Sequence, residues 1–330
     1  MIRSLLILTC TAFIALGAAA QELKIATEYP DGNSVLNELR ASGKRIEERT
    51  EGRIKLKFYP GGVMGDAVAV KRKVRIGQLH GAFIHSGGLA DVYKDSQVLN
   101  APLLFRDFAE VDAVRAIIDE EINAGFTENG WKTFGVIEGG FAFGLTSEPA
   151  TSMEALKQQK LWLPANDPFT EQIAKSFGIN PIVLNIGDVL TALQTGAINA
   201  FVAPPVGAIT LQWYSKTKYL TNAPFMYTYG VMGVSTKALR GIDEQDMAII
   251  EEELTASSKV LDQIARVDNK KAFNALQSLG IEILELSPED RKALELESAK
   301  ATAKLIESGE ISQDFYDRVL LILQDLRSQG

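Results

Sequence analysis

Short apolar runs alternate along nearly the whole chain with stretches in which apolar positions recur every three or four residues. Leu23 to Tyr29 reads as a buried strand, and Asn33 then offers a cap for a helix carrying Val35, Leu39 and Ile46. Gly52 ends that helix; Ile54, Leu56 and Phe58 alternate as a half-buried strand before the breaker Pro60-Gly61-Gly62. Val68 to Ile76 predicts a helix, Gly81 to His85 a strand, Val111 to Phe126 a helix and Thr133 to Glu138 a strand. From Thr151 the rhythm restarts. Thr151 with Glu154 fits a capping box, Leu161 to Pro164 is strand-like, Pro168 to Phe177 helical and Pro181 to Leu184 a strand. Val189 to Thr195 then reads as helix and Asn199 to Ala203 as strand. The alternation predicts an α/β fold, and two rounds of it predict two lobes.

After a strand at Val231 to Ser235, the stretch from Asp243 to Leu279 contains neither Gly nor Pro. Met247, Ile250, Leu254, Leu261, Ile264, Phe273 and Leu276 recur mostly at helical steps, and ~37 residues at 1.5 Å rise reach roughly 55 Å. Such a helix outspans one lobe and is expected to lie across both; a break near Ser257-Ser258 is the alternative. Its acidic run Glu251 to Glu253 reads as a solvated face. Ser287, Pro288 and Asp290 start another helix, and Gln313 to Leu326 is helical too. The expected organisation is a first lobe over 21–145 with a returning segment around 230–255, and a second over 146–229 with part of the C-terminal helices. The long helix covers 243–279 and a C-terminal helical segment 280–330.

Residues 1–20 stand outside this pattern. Arg3 precedes the apolar run Leu5 to Leu16, and Ala18, Ala19 and Ala20 supply small residues for a cut before Gln21, as in a secretory signal peptide. The run is shorter than the ~20 residues of a membrane span. Cys10 lies inside it behind Thr9, where a small residue usually precedes a lipidated cysteine, so lipidation is disfavoured. Cleavage near Ala20 removes the chain's only cysteine, which excludes disulfides and thiol nucleophiles, and it places the protein in a bacterial periplasm.

With 34 basic and 42 acidic residues, a net charge of -8 gives no field that attracts nucleic acid. The only histidines are His80 and His85, so a His-rich metal site and most His-based acid–base schemes lack raw material. There is no GxSxG elbow, P-loop, HExxH or helix-opening GxGxxG, and Glu138 and Asp188 carry no spacing that marks an acid–base pair. No enzymatic activity, cofactor or metal is expected. A secreted two-lobed protein without a catalytic signature reads instead as a ligand trap that closes on a solute.

The segment TEGRIKLKFYPGG (Thr50 to Gly62) with Met64-Gly65 after it resembles the opening of the periplasmic substrate-binding subunits of tripartite ATP-independent periplasmic (TRAP) transporters, the DctP-type family. So do Arg75-Ile76-Gly77-Gln78-Leu79, Pro102 to Asp107, and Thr191 to Gly196, in the family's order. The resemblance implies a type II-like two-lobed binding protein with a cleft between lobes and a long helix spanning both. It also implies a small and a large integral membrane subunit as partners and uptake driven by an ion gradient. The receptor itself is expected to be a monomer.

The family usually carries a carboxylate-clamping Arg in a pattern like K-I-R-V-P; here Lys160-Leu161-Trp162-Leu163-Pro164 puts Trp162 in that place. No Arg at all occurs between Arg115 and Arg240. Where the family commonly reads D-G-x-E-N-P, Asn199 to Pro204 puts Ala203 in the Asn place. Both changes predict a ligand with apolar or aromatic surface rather than an ordinary dicarboxylate, with any lone acid held by Lys or backbone N–H. The candidate ligand-binding residues are Tyr29, His85, Ser86, Phe141, Phe143, Trp162, Phe201, Phe225 and Tyr227, whereas Trp213 and Tyr214 read as helix packing. A competing reading keeps the fold but makes the chain an adaptor or sensor subunit of another envelope complex, with uptake lost.

Overall fold

The computed structural model describes residues 20–328, so the signal-peptide reading and Cys10 lie outside the described residues. β1 (Gln21–Thr27) leads to α1 (Ser34–Arg49), capped by the Asn33 side chain, which accepts from the Val35 and Leu36 N–H groups. β2 (Ile54–Tyr59), α2 (Ala67–Arg75) and β3 (Gly81–His85) follow, then two 3-10 turns at Ser86–Leu89 and Lys94–Asn100, α3 (Phe108–Glu128) and β4 (Trp131–Thr146). Next come α4 (Met153–Lys157), β5 (Trp162–Pro164), α5 (Pro168–Ser176), β6 (Ile182–Leu184), α6 (Val189–Thr195), β7 (Ala200–Ala203) and α7 (Pro205–Thr210). The chain closes with β8 (Tyr219–Ser235), α8 (Glu244–Ser278), β9 (Glu282–Leu284), α9 (Pro288–Glu307) and α10 (Gln313–Ser328). The cap of α4 differs from expectation: Ser152, not Thr151, accepts from the Ala155 N–H.

The main sheet runs β2-β1-β3-β8-β4-β7, with β9 paired to β8. β1, β2 and β3 are mutually parallel; β8 and β4 run antiparallel to their neighbours in this order. A parallel pair β5-β6 joins the far end through a bridge from Leu161 to Ala200. β4 and β8 carry the β1–β3 half of the molecule into the β7 and β9 half, and they are far longer than Thr133–Glu138 and Val231–Ser235. Gly139, Gly140, Gly144 and Pro224 sit where the ladder bulges, with register shifts between Glu138 and Gly140 and between Ala142 and Gly144. Gly140 is required: its φ is +97°, and a Cβ there would stand 2.5 Å from Asn269 Nδ2.

α8 is one unbroken helix of 35 residues. Asp243 caps it by accepting from the Asp246 N–H, and Arg53 holds Asp246 through two 2.9 Å bonds. Ser257 and Ser258 do not break it, because Ser257 Oγ donates to Glu38 of α1 and Ser258 Oγ to the Thr255 carbonyl. Nor is Glu251 to Glu253 merely solvated: Glu253 pairs with Arg45 and Arg49, Glu252 with Arg49 and Glu251 with Lys132. α8 packs along β4 over most of its length, against α1 in its first half and against α7 near Asn269. Among the described residues no helix is long and apolar enough to cross a membrane, and no group of three or more His, Cys, Asp or Glu is placed to hold a metal ion.

Candidate functional site

A cavity of about 290 Å³ opens where the carboxyl ends of β1, β3, β5 and β7 face one another, backed by β4, β8 and α8. Crevices at the carboxyl ends of parallel strands are where open α/β sheets bind ligands, because the loops there are free to carry side chains that the sheet does not need. The loop after β1 contributes Glu28 and Tyr29, the end of β3 His85 and Ser86, β5 Trp162, and the start of α5 Asp167. The turn after β7 and α7 closes another side, with Trp213 beyond it, and α8 adds Ala265 and Asp268.

The wall nearest β5 is indole. Trp162 is 4% exposed, stands edge-on to Trp213 with ring centroids 4.9 Å apart, and donates its Nε1–H to the Leu184 carbonyl at 3.0 Å. Phe201 stacks edge-on behind Trp213 at 5.2 Å. With its N–H already bonded to backbone, Trp162 offers a solute apolar surface rather than a donor.

The charged groups lining the cavity are mostly acidic. They are Glu28, Glu138, Asp167 and Asp268, against one basic ring, His85; no Lys or Arg lines it. His85 Nδ1 lies 2.9 Å from Glu28 Oε2. Burial disfavours a charged imidazole there, but the Glu28 charge and hydrogen bond, with Asp167 adding to them, outweigh it and push the ring up to about 9. His85 Nε2 is buried without a hydrogen-bond partner. The Glu138 side chain is fully buried and meets Arg266 of α8 at 2.8 Å; burial nonetheless holds its carboxyl above the usual range. Asp167 caps α5 by accepting from the Thr170 N–H at 3.1 Å, and Asp268 accepts from Ser34 Oγ at 2.9 Å. The two halves of the molecule touch beside this site: a Cβ on Gly87 would lie 2.4 Å from Asp167 Oδ2.

Of the residues singled out from sequence, Tyr29, His85, Ser86 and Trp162 line this cavity together. Tyr29 stacks on Phe83 at 4.7 Å, and Ser86 Oγ donates to Asn100. Phe201 and Phe225 line a smaller apolar cavity of about 110 Å³ that shares Leu163, Val202 and Met226 with the first. Phe141, Phe143 and Tyr227 line neither: Phe141 packs between Phe108 and Tyr227, and Phe143 packs on Phe273. Tyr227 Oη instead accepts from Arg115 at 3.1 Å and donates to Glu138 at 3.4 Å. Trp213, read from sequence as packing, is part of the cavity wall, because it sits in a short 3-10 turn that carries it back to β5. Asp167 and Asp268 were also missed; the Asp-Pro start of α5 was the one available signal for the first.

The family model described as bacterial extracellular solute-binding protein, family 7 (DctP), matches residues 25–308. Among curated proteins, the chain is 24% identical over 292 residues to the 2,3-diketo-L-gulonate-binding periplasmic protein YiaO of Escherichia coli K12, covering 88% of each. It is 22% identical over 282 residues to the sialic acid-binding periplasmic protein SiaP of Vibrio cholerae, covering 84% of this chain and 86% of that one. Among solved structures, a TRAP periplasmic solute-binding protein from Haemophilus influenzae with bound L-gulonate superposes with a TM-score of 0.84 at 20% identity, over 91% of this chain and 99% of that one. Another from Pseudomonas putida F1 with bound D-glucuronate gives 0.82 at 21% identity, over 90% and 96%. The family-model match over most of the chain leads to one conclusion: this protein belongs to the DctP family of bacterial extracellular solute-binding proteins.

Proposed function

We propose that the protein is a periplasmic receptor, processed near Ala20 and monomeric, that closes its lobes on a small organic solute. It delivers that solute to the small and large membrane subunits of a TRAP-type, ion-gradient-driven transporter. The solute is not an ordinary dicarboxylate or sugar acid. The observation that carries this is the charge of the lining: four carboxylates, one histidine already paired with Glu28, and neither Lys nor Arg. A buried carboxylate without a paired cation costs several kcal/mol, and here it would also face like charges. The relatives whose names include 2,3-diketo-L-gulonate or D-glucuronate take acids. Trp162, in the place the family gives to its clamping Arg, presents apolar surface instead, beside Trp213.

Calorimetric titration of the mature protein tests this. Succinate, malate and D-glucuronate are expected to show no binding at micromolar concentration. Micromolar binding of any of them, abolished in Trp162→Ala, would overturn the ligand reading while leaving the receptor role standing.

A further inference from the structure

The carboxylates of the cleft are of two kinds. Glu28 and Glu138 each have a basic partner, in His85 and Arg266. Asp167 and Asp268 form no ion pair among the described residues; their hydrogen bonds come from a helix-start N–H and from a serine hydroxyl. Asp167 is only 7% exposed. A cap bond and a hydroxyl lessen the cost of holding these charges away from water, but they do not neutralise them. The rest of the lining is dominated by apolar groups, Trp162, Leu163, Val202, Trp213 and Met226 among them, so charge in the cleft is weakly screened.

Resting on the receptor reading above, we propose that the transported solute is an organic cation, an amine or quaternary ammonium compound with an apolar or aromatic body, whose positive charge is met by Asp167 and Asp268. A cation entering this cleft gains attraction from these two carboxylates, neither of which is held in an ion pair, where an anion of the same shape is repelled by them. The indole walls accept its body, and they add attraction for any cationic group that reaches a ring face.

The test uses probes of matched shape and opposite charge: tryptamine against indole-3-acetate and phenethylamine against phenylacetate, with choline as a quaternary probe. The readouts are calorimetry and the unfolding midpoint of the mature protein. Asp167→Asn and Asp268→Asn remove charge while keeping an oxygen to cap α5 and to accept from Ser34. At least one amine is expected to bind ten-fold or more tighter than its matched acid, and each variant to lose about ten-fold for that amine with an unchanged circular dichroism spectrum. Equal or tighter binding of the acids, no binding by any of the amines, or undiminished amine affinity in both variants overturns the cation inference. Native mass spectrometry of protein taken from its own periplasm separates the two claims. A co-purifying anion sinks the inference alone; no bound molecule, with no solute producing compaction in scattering, counts against the receptor reading as well.

Discussion

His85 is held between two influences of opposite sign, burial and the Glu28 carboxylate, and the second prevails. Its folded-state value of about 9 lies above the ordinary 6.5, so the protonated ring stabilises the fold fully below about pH 6.5 and that contribution disappears as pH rises through 9. Because 28% of the side chain remains exposed, water trims the effect to about 1–3 kcal/mol. Urea unfolding at pH 6 and pH 9.5 is therefore expected to show the wild type losing that much more stability than His85→Gln over the same interval; parallel losses would remove His85 as the cause. The imidazole was visible in the sequence as one of two histidines at a strand end, but its partner was not, because Glu28 reaches it only through the parallel pairing of β1 with β3. Trp162 was singled out through the resemblance of its segment to the family pattern. Trp213 could not be, since the short 3-10 turn that carries it has no periodicity to assign a face.

Among the elements, the longer helices were the more legible where a cap announces them: Asn33, Asp243 and Ser287 all stand where their side chains meet helix-start N–H groups. The crossing strands β4 and β8 were half hidden, since a bulge that redirects a strand uses the same glycines that end one. Where these strands cross, α8 is fastened by Arg266, which bonds Glu138 of β4 through Nε at 3.1 Å and Nη2 at 2.8 Å and also pairs with Asp112 of α3. Arg266→Met leaves Glu138 buried without a cation and is expected to cost about 3–5 kcal/mol at pH 7. Glu138→Gln in the same chain should return part of that loss, because the amide no longer carries a charge to be buried. Moreover, the single variant should recover stability as pH falls and Glu138 takes up a proton, since its value is already raised by burial. A double-mutant cycle by urea unfolding reads all three; additive losses would mean that the Arg266–Glu138 pair contributes nothing to fastening the crossing.

On the scale of the whole molecule, the two rounds of α/β rhythm foretold two halves, yet nothing in a linear pattern could reveal the point at which they meet. That point is Gly87, in the turn after β3, against Asp167 at the start of α5: an added Cβ would lie 2.4 Å from one carboxylate oxygen and 2.7 Å from the carboxylate carbon. Asp167 has little freedom to yield, because its other oxygen caps α5, and giving up such a cap costs about 1 kcal/mol. A side chain at position 87 therefore either uncaps α5 or holds the halves apart. Gly87→Val is expected to keep its unfolding midpoint within about 2 °C of wild type, since the turn is not in a left-handed conformation, but to show a larger radius of gyration in small-angle scattering and weaker solute binding. Ser at position 167 still caps the helix while being shorter, so Asp167→Ser added to Gly87→Val should restore the compact form. Scattering curves of wild type and Gly87→Val that superpose would show that this contact does not limit closure; an expanded single variant relieved by the second substitution would show that cleft closure depends on the missing side chain at position 87.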